Sequence, residues 1–195
     1  MLRLGFLASN SGTSMRAIVG AIRSGELEAE ARLVVSNKKD SAALAFAESA
    51  GITHRFIGTV KDPEAADARL LKALRAEGVE LIVLSGYLRK LGPKTLAAYA
   101  GRILNIHPAL LPDFGGEGMY GRRVHEAVIA SGVKTSGCTI HLVDGEYDHG
   151  AVIARREVPV LQGDTPETLE ARVMAAEPAF FVETLRAIAE GRLKL

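Results

Sequence analysis

Apolar residues fall in short runs, separated by stretches with helical spacing, through the first half of the chain. Residues 2–8, 32–36, 81–85 and 103–106 are continuously apolar over too few positions for surface helices, and read as buried strands. Helices are expected near residues 14–24, 41–50 and 63–77. The third opens with Asp62-Pro63-Glu64: a side-chain acceptor at the cap, a proline where no N–H is needed, then an acid in the first turn. Strand–helix–strand alternation predicts a parallel sheet covered on both faces.

The second half is patterned differently. Residues 136–143 and 151–160 read as longer strands joined by the loop 144–150, a spacing that suits an antiparallel pair or a long excursion. Thr165-Pro166-Glu167 opens a last helix, with Leu169, Val173, Ala176 and Phe180 on one face. Pro178 is expected to kink or break it just after Glu177. The expected fold is α/β: a Rossmann-like open twisted sheet, parallel in the N-terminal half and mixed in the C-terminal half, forming a single domain over residues 1–195. No linker, tandem repeat or low-complexity segment interrupts it.

Composition narrows the function classes. With 48% hydrophobic and 24% charged residues the chain can build a core, and disorder is excluded. A formal charge of +1 gives no overall basic excess, so no nucleic-acid partner is expected. The apolar start is too short to span a membrane and no signal-peptide pattern follows, so a soluble, cytoplasmic protein without a membrane partner is expected. The one cysteine, Cys138, cannot form an intramolecular disulfide; within a strand-like run it reads as a small buried filler rather than a nucleophile.

Three segments carry polar groups suited to chemistry. Ser9-Asn10-Ser11-Gly12-Thr13-Ser14-Met15 joins the first strand to a helix, where N–H groups and hydroxyls can hold a phosphate; the alternative is an ordinary capped turn. It lacks the glycine fingerprint of a dinucleotide site and the Gly-Lys-Ser/Thr ending of a nucleoside-triphosphate loop. On the next segment Asn105 and His107 stand two residues apart, hence on one side of a strand that Pro108 ends. An amide and an imidazole there could donate to a developing oxyanion, with His107 as acid. By spacing alone, a strand-end histidine satisfied by local backbone is an equal alternative. The loop 144–150 carries Asp144, Glu146 and Asp148; one could pair with His107, or all could be solvated. No pair among His107, His125, His141, His149 and these acids has zinc-like spacing, so no metal is expected.

Asn105-Ile106-His107-Pro108, followed by Leu110-Leu111-Pro112, is similar to the signature of the folate-dependent formyltransferases. Gly137-Cys138-Thr139-Ile140-His141-Leu142-Val143-Asp144, then Tyr147-Asp148-His149-Gly150, resembles that family's second signature. The likeness runs from the first strand to Gly191-Arg192-Leu193-Lys194, and the two signatures in this order and separation are highly specific. The resemblance implies formyl transfer from 10-formyltetrahydrofolate to the amino group of glycinamide ribonucleotide, in purine biosynthesis. It implies catalytic roles for Asn105, His107 and Asp148, with Asp148 keeping His107 charged. It places the nucleotide phosphate on Gly12, Thr13, Ser14 and Met15, the nucleotide also against Pro108 and Glu177, and the pterin against Leu88, Arg89, Lys90 and Leu91, with Asn105 and Asp144 beside it.

The chain departs from the family pattern in places. Asn10 stands where many relatives have glycine, Lys90 where an apolar residue is common, and Ala151 where proline is frequent. Pro63 occupies the place of an arginine near the folate glutamate tail, with Lys61 or Arg69 as substitutes. The glycines of residues 114–121 imply a mobile loop over the site. A methionyl-tRNA formyltransferase would carry a further C-terminal domain and a formyltetrahydrofolate hydrolase an N-terminal one, so on length neither is expected. A non-catalytic nucleotide- or folate-binding module is disfavoured by the intact Asn105, His107 and Asp148. The oligomeric state stays open, a homodimer included.

Overall fold

A computed structural model describes all 195 residues. The elements in chain order are β1 (Leu2–Leu7), α1 (Thr13–Arg23), β2 (Ala29–Ser36), α2 (Ala42–Ser49), β3 (His54–Phe56), α3 (Pro63–Ala76), β4 (Leu81–Leu84), α4 (Pro93–Ala98), β5 (Ile103–His107), α5 (Arg122–Ser131), β6 (Thr135–Leu142), β7 (Val152–Pro159) and α6 (Pro166–Ala189). The strands form one sheet in the order β3-β2-β1-β4-β5-β6-β7. Pairing is parallel from β3 to β5. It becomes antiparallel at β5–β6 and β6–β7. The parallel-then-mixed sheet is the one expected from the sequence.

The continuous apolar runs follow from burial on both faces. On β4, Leu81 and Val83 join one core cluster while Ile82 and Leu84 join the other; on β2, Val34 faces the first and Leu33 and Val35 the second. The first cluster takes Met15, Ile18 and Val19 of α1 with Phe180 and Phe181 of α6. The second takes Leu70 and Leu74 of α3. The start of α3 is as the sequence indicates: the Asp62 carboxylate accepts from the Ala65 N–H at 2.9 Å, and Pro63 occupies the first turn.

Three elements were not foreseen. β3 has only three residues, none of them buried, so it lacks an apolar run; α4 and α5 are short helices in stretches where no element was expected. The expected break at Pro178 does not occur, and α6 runs on from Pro166 to Ala189. Proline inside a helix costs about 3 kcal/mol. Here Leu169 and Val173 before it and Phe180, Phe181 and Leu185 after it are all buried on one helix. Burying each such side chain contributes about 1.5–3 kcal/mol, so packing on both sides outweighs the proline. Met174, whose carbonyl loses its partner, is on an exposed part of the helix, where water can replace the missing N–H.

No helix is long and apolar enough to cross a membrane. Phe181 is fully buried in the larger cluster. Phe181→Ala should lower stability by about 3–5 kcal/mol, seen as a lower urea midpoint at unchanged slope.

Candidate active site

In this order of strands the connections diverge at β1 and β4, and the crevice beyond their carboxyl ends is where open α/β sheets place ligands. Two serines stitch the loops there together. Ser9 Oγ accepts from the Leu88 N–H at 2.8 Å and donates to Asn37 Oδ1 at 2.6 Å. Ser85 Oγ accepts from the Met15 N–H at 3.0 Å. Met15 is therefore committed: its N–H is bonded to Ser85 and its side chain is fully buried. Gly12 precedes α1 with φ 63°, a left-handed conformation that favours glycine, and a Cβ there would meet Met15 Cε at 2.8 Å. The N–H groups of Thr13 and Ser14 have no acceptor one turn earlier in α1 and remain available to an anion.

β5 carries Asn105 and His107 to the same crevice. His107 is 3% exposed. Its Nε2 lies 2.8 Å from the Phe114 carbonyl oxygen, and its Nδ1 lies 3.3 Å from Asp148 Oδ2. The structure thus joins the three residues expected to meet, across about 40 positions of sequence. Asp148 Oδ2 also accepts from the Gly116 N–H at 3.1 Å. Pro108 follows directly and ends the strand.

A fourth member, His141, was in the second signature without a role. In the antiparallel register Asn105 stands opposite His141 and His107 opposite Thr139. Asn105 Nδ2 lies 3.1 Å from His141 Nε2, and His141 Nδ1 lies 2.9 Å from the Leu142 carbonyl oxygen. Asn105 Nδ2 carries two N–H groups, so contact with His141 leaves at least one of them free. His141 Nε2 is also 3.4 Å from Asp148 Oδ1. The signal was present: Thr139 and His141 alternate on β6 as Asn105 and His107 do on β5.

The expected protonation state needs correction. Asp148 was expected to raise the pKa of His107, but it lies below the ordinary value. Burial withholds the charge, and this outweighs the Asp148 carboxylate and the Phe114 carbonyl, both of which push the other way. The ring has acceptors at both nitrogens and, near neutrality, only one proton to share. For Asp148, burial pushes the carboxyl up, but the contacts with His141 and His107 and the Gly116 N–H hold it below the usual range.

The remaining expected residues lie apart from this cluster. Asp144 is engaged elsewhere, receiving the His149 Nδ1 contact at 2.9 Å and the Glu146 N–H at 2.8 Å. Leu88 is exposed and Leu91 is buried in the second core, so the two leucines do not face one pocket together. Arg89, Lys90 and Leu91 line a cleft of about 150 Å³ with Val35, Ile57 and Tyr87, and none of Asn105, His107 and Asp148 lines it. The segment does reach the acidic loop: Lys90 Nζ sits 5.4 Å from the Tyr147 ring centroid. Glu177, half-buried on α6 just before Pro178, is pushed up to about 7 by burial. Cys138 is fully buried and its thiol pushed up to about 12, also first by burial, as suits a filler. No group of three or more His, Cys, Asp or Glu side chains is arranged to hold a metal ion.

Comparison with known proteins identifies relatives. The formyl transferase family matches residues 2–185. The chain is 40% identical over 195 residues to the chloroplastic phosphoribosylglycinamide formyltransferase of Arabidopsis thaliana, covering 98% of this chain and 67% of that one. It is 36% identical to phosphoribosylglycinamide formyltransferase of Escherichia coli strain K12, covering 97% of this chain and 88% of that one. A crystal structure of glycinamide ribonucleotide transformylase 1 from Symbiobacterium toebii superposes with a TM-score of 0.89 at 39% identity, covering 100% of this chain and 91% of that one.

The depressed His107 pKa fixes a sign. The folded state binds this proton less readily than the unfolded chain, so the contribution of His107 is fully present above about pH 6.5 and is lost as pH falls below it. Measured against a His107→Asn variant by urea unfolding, the wild type should lose relative stability between pH 7 and pH 5. A pH-independent difference would contradict the assignment.

Proposed function

Because the chain belongs to the formyl transferase family, we propose that it transfers the formyl group of 10-formyltetrahydrofolate to the amino group of glycinamide ribonucleotide, giving formylglycinamide ribonucleotide and tetrahydrofolate. The observation that carries this reading is the assembly of Asn105, His107 and Asp148 at the carboxyl end of β5, beside the crevice between β1 and β4. The names and the close similarity of the relatives support the choice of substrates.

The mechanism follows from the groups present. The neutral amine attacks the formyl carbon, and a C–N bond forms as the carbonyl electrons move to oxygen. The free N–H of Asn105 donates to that oxyanion; both ring nitrogens of His107 face the Phe114 carbonyl and Asp148, so His107 acts on it through its charge, once it holds the proton that leaves the attacking nitrogen. A preorganised donor of this kind is worth about 3–4 kcal/mol in the transition state. The attacking nitrogen loses a proton, the folate N10 gains one, and the C–N10 bond breaks to release tetrahydrofolate. Asp148, ionised and facing His107, orients the imidazole and can hold a water that carries this proton.

The ends of the substrates find matching chemistry. The nucleotide phosphate sits on the Thr13 and Ser14 N–H groups at the start of α1, with Gly12 giving close approach and Pro108 beside it. Glu177, with no cation offsetting its burial, suits the hydroxyl groups of the ribose. The pterin takes its donors and acceptors from backbone around Leu88, Arg89, Lys90 and Leu91, with Asn105 and the Asp144 loop alongside. A homodimer is compatible with this reading and no step requires one.

The direct test supplies both substrates and follows formylglycinamide ribonucleotide and tetrahydrofolate together. Formate release at the same rate without the amine acceptor would instead mark a hydrolase. In that assay Asp148→Asn, which keeps shape and removes charge, should cut kcat about 100-fold or more with little change in KM. In an NMR titration the same variant should lower the His107 pKa further, because the carboxylate is one of the influences raising it. Gly12→Val should raise KM for the ribonucleotide more than KM for the folate.

A further inference from the structure

The register of the antiparallel strands sets three side chains in one row. His107 on β5 stands opposite Thr139 on β6, and Thr139 stands opposite Arg155 on β7. Directly opposed residues project from the same face of a sheet. The segment that follows β5 folds back over this row and is gripped by each member. Thr139 Oγ1 donates to the Ala109 carbonyl at 2.6 Å and accepts from the Leu111 N–H at 3.0 Å. Arg155 donates twice to the Leu111 carbonyl, from Nε at 3.1 Å and from Nη2 at 2.7 Å. His107 holds the Phe114 carbonyl.

Two turns beside His107 adopt an uncommon backbone conformation. Phe114 and Asp148 are the two non-glycine residues with positive φ, 55° in each case. Both touch His107, one through its carbonyl and one through its carboxylate. A Cβ on Gly115 would lie 2.4 Å from Leu111 Cδ2 and 3.3 Å from Asp148 Cβ, so Leu111 is packed directly beneath the turn. A left-handed conformation in a residue with a side chain costs about 1–3 kcal/mol and persists only where surroundings over-determine it. The fork of Arg155 on Leu111 is one such determinant, and it comes from a strand that contributes no other group to the trio.

We infer that Arg155 is a positioning residue for formyl transfer: its paired donors on the Leu111 carbonyl set the turn that presents the Phe114 carbonyl and the Gly116 N–H to His107 and Asp148. The inference rests on the reading of the trio as the catalytic centre. Arg155 touches neither substrate nor the reacting atoms; it acts through the backbone. Its planar guanidinium delivers two N–H groups to one oxygen, whereas a lysine can place only a point donor there. Arg155 is exposed as a residue, so shortening it opens no core cavity, and its effect should be geometric.

The experiment measures kcat, both KM values and the thermal midpoint for wild type, Arg155→Ala and Arg155→Lys. Wild type must first show formyl transfer; if it does not, the proposed function fails and not merely the role of Arg155. With wild type active, Arg155→Ala should lose about tenfold to a hundredfold in kcat, as expected for a small misplacement of a catalytic group, with both KM values within about twofold. Arg155→Lys should fall between the two. Guanidinium at a sub-denaturing concentration should restore part of the Arg155→Ala rate and none of the rate lost in Asp148→Asn. Wild-type kcat in Arg155→Ala overturns the inference. So does a loss that tracks a fallen thermal midpoint and is not recovered by guanidinium. Should Arg155→Ala fail to fold, Arg155→Lys decides: a lower kcat at unchanged KM supports the role, and an unchanged kcat removes it.

Discussion

The burial of one imidazole between a carbonyl and a carboxylate governs the arrangement of this site. His107 is removed from water, so its two ring nitrogens must find partners in the protein, and they meet Phe114 and Asp148. Neither partner comes from a regular strand or helix. Both occupy loops in a left-handed backbone conformation, and the Gly116 N–H ties one loop to the other through the Asp148 carboxylate. The rigid part of the fold supplies the histidine, and the two loops are shaped around it. Free energy spent on those two conformations is small beside the burial of two clusters of apolar side chains on opposite faces of the sheet.

The sheet explains why the loops converge. A parallel sheet ends all its strands on one edge, and the order β3-β2-β1-β4-β5 opens a crevice where the connections diverge. The turn after β1 and the segment after β4 meet there and are joined through Ser9 and Ser85. The start of α1, proposed for phosphate, and the Leu88–Leu91 segment, proposed for the pterin, are therefore parts of one hydrogen-bonded frame. β6 then runs antiparallel to β5, and β7 antiparallel to β6, and together they carry His141, Thr139 and Arg155 across to it. The change from parallel to antiparallel pairing sets side chains from neighbouring strands opposite the catalytic strand.

Elements with a strong local signature were legible in the sequence. The Asp62 cap, the four parallel strand runs and the polar alternation of Asn105 and His107 depend on neighbours in sequence, and each is present. Properties set by tertiary packing were not legible. β3 has no buried residue to announce it. Pro178 sits in a continuous helix because residues on both sides of it are held against the sheet. His141 alternates with Thr139 as Asn105 does with His107, but its place in the site comes from a cross-strand register that neither strand's pattern states. The protonation of His107 was misjudged for the same reason. The carboxylate partner could be inferred from the signatures, but the depth of burial that outweighs it could not.

That depth of burial alters how the proposed chemistry works. An imidazole held charged in the free enzyme would attract the neutral formyl oxygen as well as the oxyanion, and the part of that attraction common to both lowers no barrier. A buried imidazole with a depressed pKa is neutral at pH 7 and gains little from a neutral carbonyl. In the proposed reaction, negative charge develops on the formyl oxygen as the amine attacks. In a low-dielectric pocket that charge favours the imidazolium strongly, and Asp148, already ionised and in contact, stabilises the new cation from the other side. Proton uptake by His107 is then driven by the transition state and not by the solvent. Its two acceptors, which a neutral ring cannot satisfy together, are both satisfied only at that moment.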